Sequence, residues 1–144
     1  MLLRTPCFIL AAISSASCFA IQLPREFPTE LVGTWVQPSK GEEGVMLVHV
    51  SAYTPVELTG VMVIRGSKDC PEPVAFSGVI TADRVIITST ETVVCGYEGI
   101  LIGEVRKDSS DTFSGTFAYK YKLLNLTFTW ANGTFVLRIP LNQK

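Results

Sequence analysis

From Leu31 to Ile139 the apolar residues recur at every second position in short runs, and almost nothing repeats at helical spacing. Period-two alternation places one face of each run in a core and the other in solvent, which is the pattern of antiparallel strands. Nine runs qualify: Leu31 to Gln37, Val45 to Ala52, Val56 to Ile64, Val74 to Ile80, Arg84 to Thr90, Thr92 to Arg106, Thr112 to Lys122, Leu124 to Ala131 and Thr134 to Ile139. A polar Gly41-Glu42-Glu43-Gly44 turn separates the first two, and glycines bend the long sixth run. The expected class is therefore all-β, an antiparallel meander of about eight strands. Closure into a barrel would remove the exposed edges that such a sheet otherwise carries. A Greek-key β-sandwich is the alternative.

Asn132-Gly133 is the strongest short hairpin signal in the chain, because both central residues of a type I′ turn need positive φ. A turn there predicts Trp130 opposite Phe135, Phe128 opposite Leu137 and Leu126 opposite Ile139, all on one face. Thr112 to Lys122 likewise carries Phe113, Phe117, Tyr119 and Tyr121 on one side. An irregular echo, Leu58-Thr59-Gly60-Val61, Phe76-Ser77-Gly78-Val79 and Phe113-Ser114-Gly115-Thr116, puts a glycine inside a strand three times. Such glycines mark bends or close backbone approach, as expected of a coiled sheet closing on itself.

The 144 residues suffice for one core, and 12 Lys+Arg against 13 Asp+Glu leave no basic run for nucleic acid. One histidine and no C-x-x-C pair argue against a metal cluster, and no cofactor motif is present. Met1 to Ala20 has a single early Arg4, an apolar run from Cys7 to Ile13 and small residues before a break after Ala20. That is the layout of a secretory signal peptide, too short for a membrane span. The mature domain would then be residues 21–144, with 21–30 as an N-terminal lead, outside the cytoplasm, whether extracellular or periplasmic. Removal of Cys7 and Cys18 leaves Cys70 and Cys95, an even pair that an oxidising compartment should bond. Val74 to Ile80 and Arg84 to Thr90 are also too short for the strands of an outer-membrane barrel.

No catalytic set is legible. His49 alternates with Val45, Leu47 and Ser51, and without a placed partner it reads as a packed or surface histidine. Glu98 and Glu104 would lie about 20 Å apart on a regular strand, too far for a carboxylate pair. Asp69, Glu72 and the Asp108-Ser109-Ser110-Asp111 turn resemble turn chemistry rather than a calcium loop. Asn125-Leu126-Thr127 and Asn132-Gly133-Thr134 match the glycosylation sequon, so Asn125 and Asn132 are candidate acceptors in a eukaryotic secretory route.

Gly33-Thr34-Trp35 on the first strand resembles the G-x-W opening of lipocalins and avidins, the calycin group. The resemblance implies a basic residue of the last strand packed across the tryptophan, which here assigns Trp35 and Arg138 as a barrel-closing pair. It also implies a binding protein rather than an enzyme, a carrier of a small apolar ligand held by Trp35, Tyr97, Phe117, Tyr119 and Trp130. An avidin pocket uses several tryptophans and this chain has only Trp35 and Trp130, so no biotin site carries over. Leu23-Pro24 followed by Glu30 to Trp35 is similar in texture to small periplasmic inhibitors of bacterial metalloproteases. That likeness implies the alternative, a module that binds an extracellular protein through Ile21 to Thr29.

Overall fold

A computed structural model describes residues 28–143, apart from 69, 71, 72, 92 and 95. Ten strands form: β1 (Glu30–Gln37), β2 (Glu42–Tyr53), β3 (Glu57–Arg65), β4 (Val74–Ile80), β5 (Val85–Ser89), β6 (Val93–Val94), β7 (Tyr97–Glu98), β8 (Ile100–Lys107), β9 (Thr112–Leu123) and β10 (Leu126–Arg138). Eight of them close into a barrel in the order β1-β10-β9-β8-β5-β4-β3-β2, and every pairing is antiparallel. Spatial order follows chain order around the ring, so the sheet is a meander and not a Greek key. The short β6–β7 hairpin is an excursion between β5 and β8. Among the described residues no helix is long and apolar enough to cross a membrane.

Closure depends on the path of the last two strands, and here the Asn132-Gly133 expectation is corrected. Those residues lie inside β10, paired with Ala118 and Phe117 of β9. The chain reverses instead at Leu124-Asn125, whose φ angles of 52° and 67° are those a two-residue I′ loop requires. Tertiary pairing outweighs local turn preference. Turning at 124–125 lets one thirteen-residue strand bond to β9 along its length and to β1 through residues 134–138, which seals the barrel. A turn at 132–133 would spend both halves of that strand on each other. The apolar face survives the change because of a bulge between Thr129 and Ala131. It shifts the alternation by one, so Phe128 on one side and Phe135 on the other both face the side of Tyr121 and Phe117.

The other differences are smaller. The β1–β2 reversal uses a 3₁₀ turn at Pro38–Lys40 with Gly41 left-handed at φ 63°, and Glu42 already belongs to β2. The long sixth run breaks into β6, β7 and β8, with Gly96 at φ 82° turning the excursion. Glu98 and Glu104 therefore sit on different strands.

Leu124 occupies a left-handed position with its side chain 88% exposed, so it has strain and no packing to offset it. Leu124→Gly is expected to stabilise the protein by about 1 kcal/mol, read as a shift of the urea midpoint.

Inward positions of all eight barrel strands build one core, in which Trp35 and Phe76 are the largest fully buried side chains. The excursion caps one end. Val94 of β6 is buried, and its carbonyl accepts a hydrogen bond from the Tyr119 hydroxyl at 3.2 Å. The Ser89 hydroxyl accepts one from the Leu101 amide at 2.9 Å, which pins the chain where it rejoins the barrel. Cys70 is buried beside this end and is not a free thiol. Its expected partner Cys95 lies outside the described residues, as do Cys7, Cys18 and the whole of residues 1–20.

Candidate functional site

Eight strands leave an interior that side chains just fill or that holds one small ligand. Here it holds a cavity of about 620 Å³. Its walls come from the inward positions of successive strands: Leu31 of β1, Met46, Val48 and Val50 of β2, Leu58 and Met62 of β3, Phe76 of β4, Ile87 of β5, Leu101 and Val105 of β8. Phe113 and Phe117 of β9 and Phe135 of β10 complete them. Gly103 adds room, because a methyl group there would meet nothing closer than 3.3 Å.

The cavity opens at the end formed by the 53–55, 81–84 and 107–110 connections, with Pro28 and Ile139 beside them. Most polar groups on this rim are already engaged. The Thr54 hydroxyl accepts from the amides of Val56 and Glu57 at 3.3 and 3.1 Å, and the Thr81 hydroxyl donates to the Arg84 carbonyl at 3.0 Å. Arg84 bridges Asp83 at 3.0 Å and Glu104 at 3.3 Å. The hydrogen bond from Arg84 holds the Asp83 carboxyl below the usual carboxylate range.

The five residues expected to hold a ligand gather mainly at the opposite, closed end. Trp35 is 1% exposed, meets Phe117 edge-on at 6.3 Å and donates from its indole N–H to the Arg65 carbonyl at 2.9 Å. Tyr119 is buried and meets Trp130 edge-on at 5.6 Å. Trp130 itself is 38% exposed, with the Lys40 ammonium 3.6 Å from its ring centre. Of the four whose side chains are described, Phe117 lines the cavity; Trp35 and Tyr119 are buried off its lining, and Trp130 stands partly exposed. Tyr97 is on β7, and its side chain is outside the described set.

Arg138 does not close the barrel over Trp35. It is exposed on the outer face and pairs across with Val32, whereas Trp35 points inward three residues away. Alternation along β10 sends Phe135 and Leu137 inward and Arg138 outward. The cation that does cover an indole is Lys40 on Trp130.

His49 is on the outer face, with its Nδ1 2.6 Å from a Glu30 carboxylate oxygen. Asp111 accepts from Ser109 and Thr112 within its own turn. No group of His, Cys, Asp and Glu able to hold a metal occurs among the described residues, and Asp69 and Glu72 fall outside them. Asn125 is exposed in the β9–β10 turn, and Asn132 is exposed on the outer face of β10. The lead at 21–27 also lies outside the described residues. Pro28 lines the mouth, and the Thr29 carbonyl accepts from the Val50 amide at 2.8 Å.

Alternation identifies the inward residues, but not which of them reach the cavity, so Met46, Leu58, Met62, Phe76 and Leu101 were not legible as ligand contacts. Their inward parity was the signal available.

No family model matches the chain, and no curated protein matches it. Solved structures do. A redesigned β-barrel is similar at 17% identity and a TM-score of 0.51, over 77% of this chain and 89% of that one. EF1p2_mFAP2b bound to DFHBI aligns at 18% identity and 0.49, over 78% and 93%. A shwanavidin variant in complex with biotin aligns at 12% and 0.47, over 73% and 93%. At such identities a likeness speaks to fold alone. The closed eight-strand meander is itself the calycin-type barrel expected from the sequence, and the likeness to the redesigned barrel agrees with that fold.

Proposed function

We propose that this protein is a secreted, non-catalytic carrier of a small and largely apolar ligand, held inside the barrel. The observation that carries the reading is the cavity of about 620 Å³, walled by aliphatic and phenyl groups and open at one end. That size and lining fall within the range of sites that enclose a small molecule. The rim hydroxyls and the Asp83–Arg84 pair are bonded to their own turns and neighbours, so they shape the mouth rather than offer a reacting group. The five aromatic residues read from the sequence take a revised role in this proposal, with Phe117 as a wall and Trp35 and Tyr119 as the floor beneath it. Cleavage after Ala20 and a Cys70–Cys95 bond belong to the same reading.

Native mass spectrometry of the protein from its own source tests it. A bound mass of a few hundred daltons, lost on denaturation, is expected. The neutral dye N-phenyl-1-naphthylamine should also enter the ligand-free protein and brighten. Val105→Trp, which fills the cavity from its wall, should abolish dye uptake while thermal unfolding stays cooperative, at a stability cost of about 1–3 kcal/mol for overpacking. A protein that carries no ligand and excludes the dye is not a carrier.

The bond has its own readout. Closing a loop of about 25 residues is worth about 3 kcal/mol, so reduction should lower the urea midpoint accordingly. The intact mass should rise by two hydrogen atoms on reduction to the two thiols.

A further inference from the structure

Resting on the carrier reading, we infer that the ligand is an amphiphile with a single anionic head, seated tail-first so that the head meets the Lys107 ammonium at the mouth.

The charges that line the cavity set the sign of the head. The cavity-lining residues include two cations, Arg84 and Lys107, and one carboxylate, Asp83. Arg84 is committed, with its guanidinium bonded to both oxygens of Asp83 and to Glu104. Asp83 is committed in return, with both of its oxygens bonded to Arg84. Among the described lining residues an incoming cation therefore finds no open carboxylate.

Lys107 differs. It ends β8 on the inward side, two residues after Val105 and directly across from Phe113. Its side chain makes no ion pair or hydrogen bond among the described residues. It lines the cavity and is exposed, the setting in which a lysine lays its stem along an apolar edge and keeps its head in water. Ser110, the next lining residue along the chain, adds a hydroxyl beside it.

Orientation follows from solvation. An ionised head carried to the apolar depth beside Met62 and Phe76 would lose its water with nothing to replace it, a cost no tail could offset. At the mouth the head keeps part of its hydration and gains a charge-assisted contact, while the tail buries its methylenes at about 0.8 kcal/mol each. A neutral head gains the burial but not the ammonium.

The test compares palmitate with cetyl alcohol, which has the same tail and a neutral head. Both displace N-phenyl-1-naphthylamine from the protein at neutral pH and low salt. Palmitate is expected to bind roughly fivefold more tightly, the scale of one partly exposed ion pair. Lys107→Gln should bring palmitate to the level of the alcohol and leave the alcohol unchanged. Lys107→Arg should keep the preference, and Lys122→Gln, on the β9–β10 hairpin beyond the barrel, should not alter it. Half-molar salt should shrink the palmitate advantage in the unmodified protein. Equal binding of acid and alcohol by the unmodified protein overturns the inference and leaves the cavity reading standing. So does a preference that survives Lys107→Gln. Exclusion of the dye itself would instead count against the carrier reading, so the two failures are distinguishable without any variant.

Discussion

Trp35→Ala is expected to lower the stability of the protein by about 4 kcal/mol or more, while Trp130→Ala costs about 1–2 kcal/mol. The two indoles are chemically equal and differ in place. Trp35 is 1% exposed, so truncation removes a whole ring from the core and leaves a void between Phe117 and the 3₁₀ turn at the closed end. Losses of this kind run to about 3–5 kcal/mol. The Arg65 carbonyl also loses its indole donor, a further cost of about 1 kcal/mol. Single domains hold about 5–15 kcal/mol in total, so the variant should approach its unfolding transition in water. Trp130, at 38% exposure, stands beyond the barrel and gives up an edge contact with Tyr119 and the Lys40 ammonium over its ring. An exposed cation–π contact is worth about 0.5–1 kcal/mol. Urea titration of both variants reads the contrast. Equal losses would show that Trp35 is not the floor of the barrel.

Those two tryptophans also show what was legible in the sequence. Alternation fixes the face of a strand that a side chain occupies, so the meander and the inward side of Phe113, Phe117 and Tyr119 could be read without coordinates. Depth along the barrel axis could not. It depends on how far each strand is staggered against the next, which is a property of the closed ring. β9 and β10 overrun their neighbours: β8 pairs with β9 only as far as Ile100 against Lys120, and β1 meets β10 only from Thr134 onward. Trp130, Phe128 and Tyr121 thus carry inward parity yet sit past the end of the wall. The same gap hid Lys107, which as a residue in a run is only a lysine near a turn. Asn132-Gly133 failed for a related reason. Its turn preference is local, and the pairing of one long strand with both β9 and β1 is not.

The strand glycines were legible as a pattern, and the reason for them carries the second large effect: Gly115→Val should leave little folded protein. Gly115 faces Phe135 across the β9–β10 pair, and the ring lies over its backbone. Trp35 lies likewise over Gly44, Phe76 over Gly60 and Phe117 over Gly133, each the cross-strand partner of the other. A barrel this narrow must coil its strands hard, and a glycine opposite an aromatic ring lets it do so while the ring fills the space. A Cβ at Gly115 would come within 2.5 Å of the Phe135 ring and 2.0 Å of the Glu104 carbonyl. The ring can turn aside, but the carbonyl belongs to β8 and moves only if the β8–β9 ladder opens. Two expectations separate these contacts. Adding Phe135→Leu to Gly115→Ala should recover little, because the closer clash is with backbone. Gly103→Ala, where the nearest atom is 3.3 Å away, should change stability by less than about 1 kcal/mol. Circular dichroism during urea titration of the four variants, Gly115→Ala alone among them, decides it. Full rescue by Phe135→Leu would assign the cost to the ring and not to the coiling of the sheet.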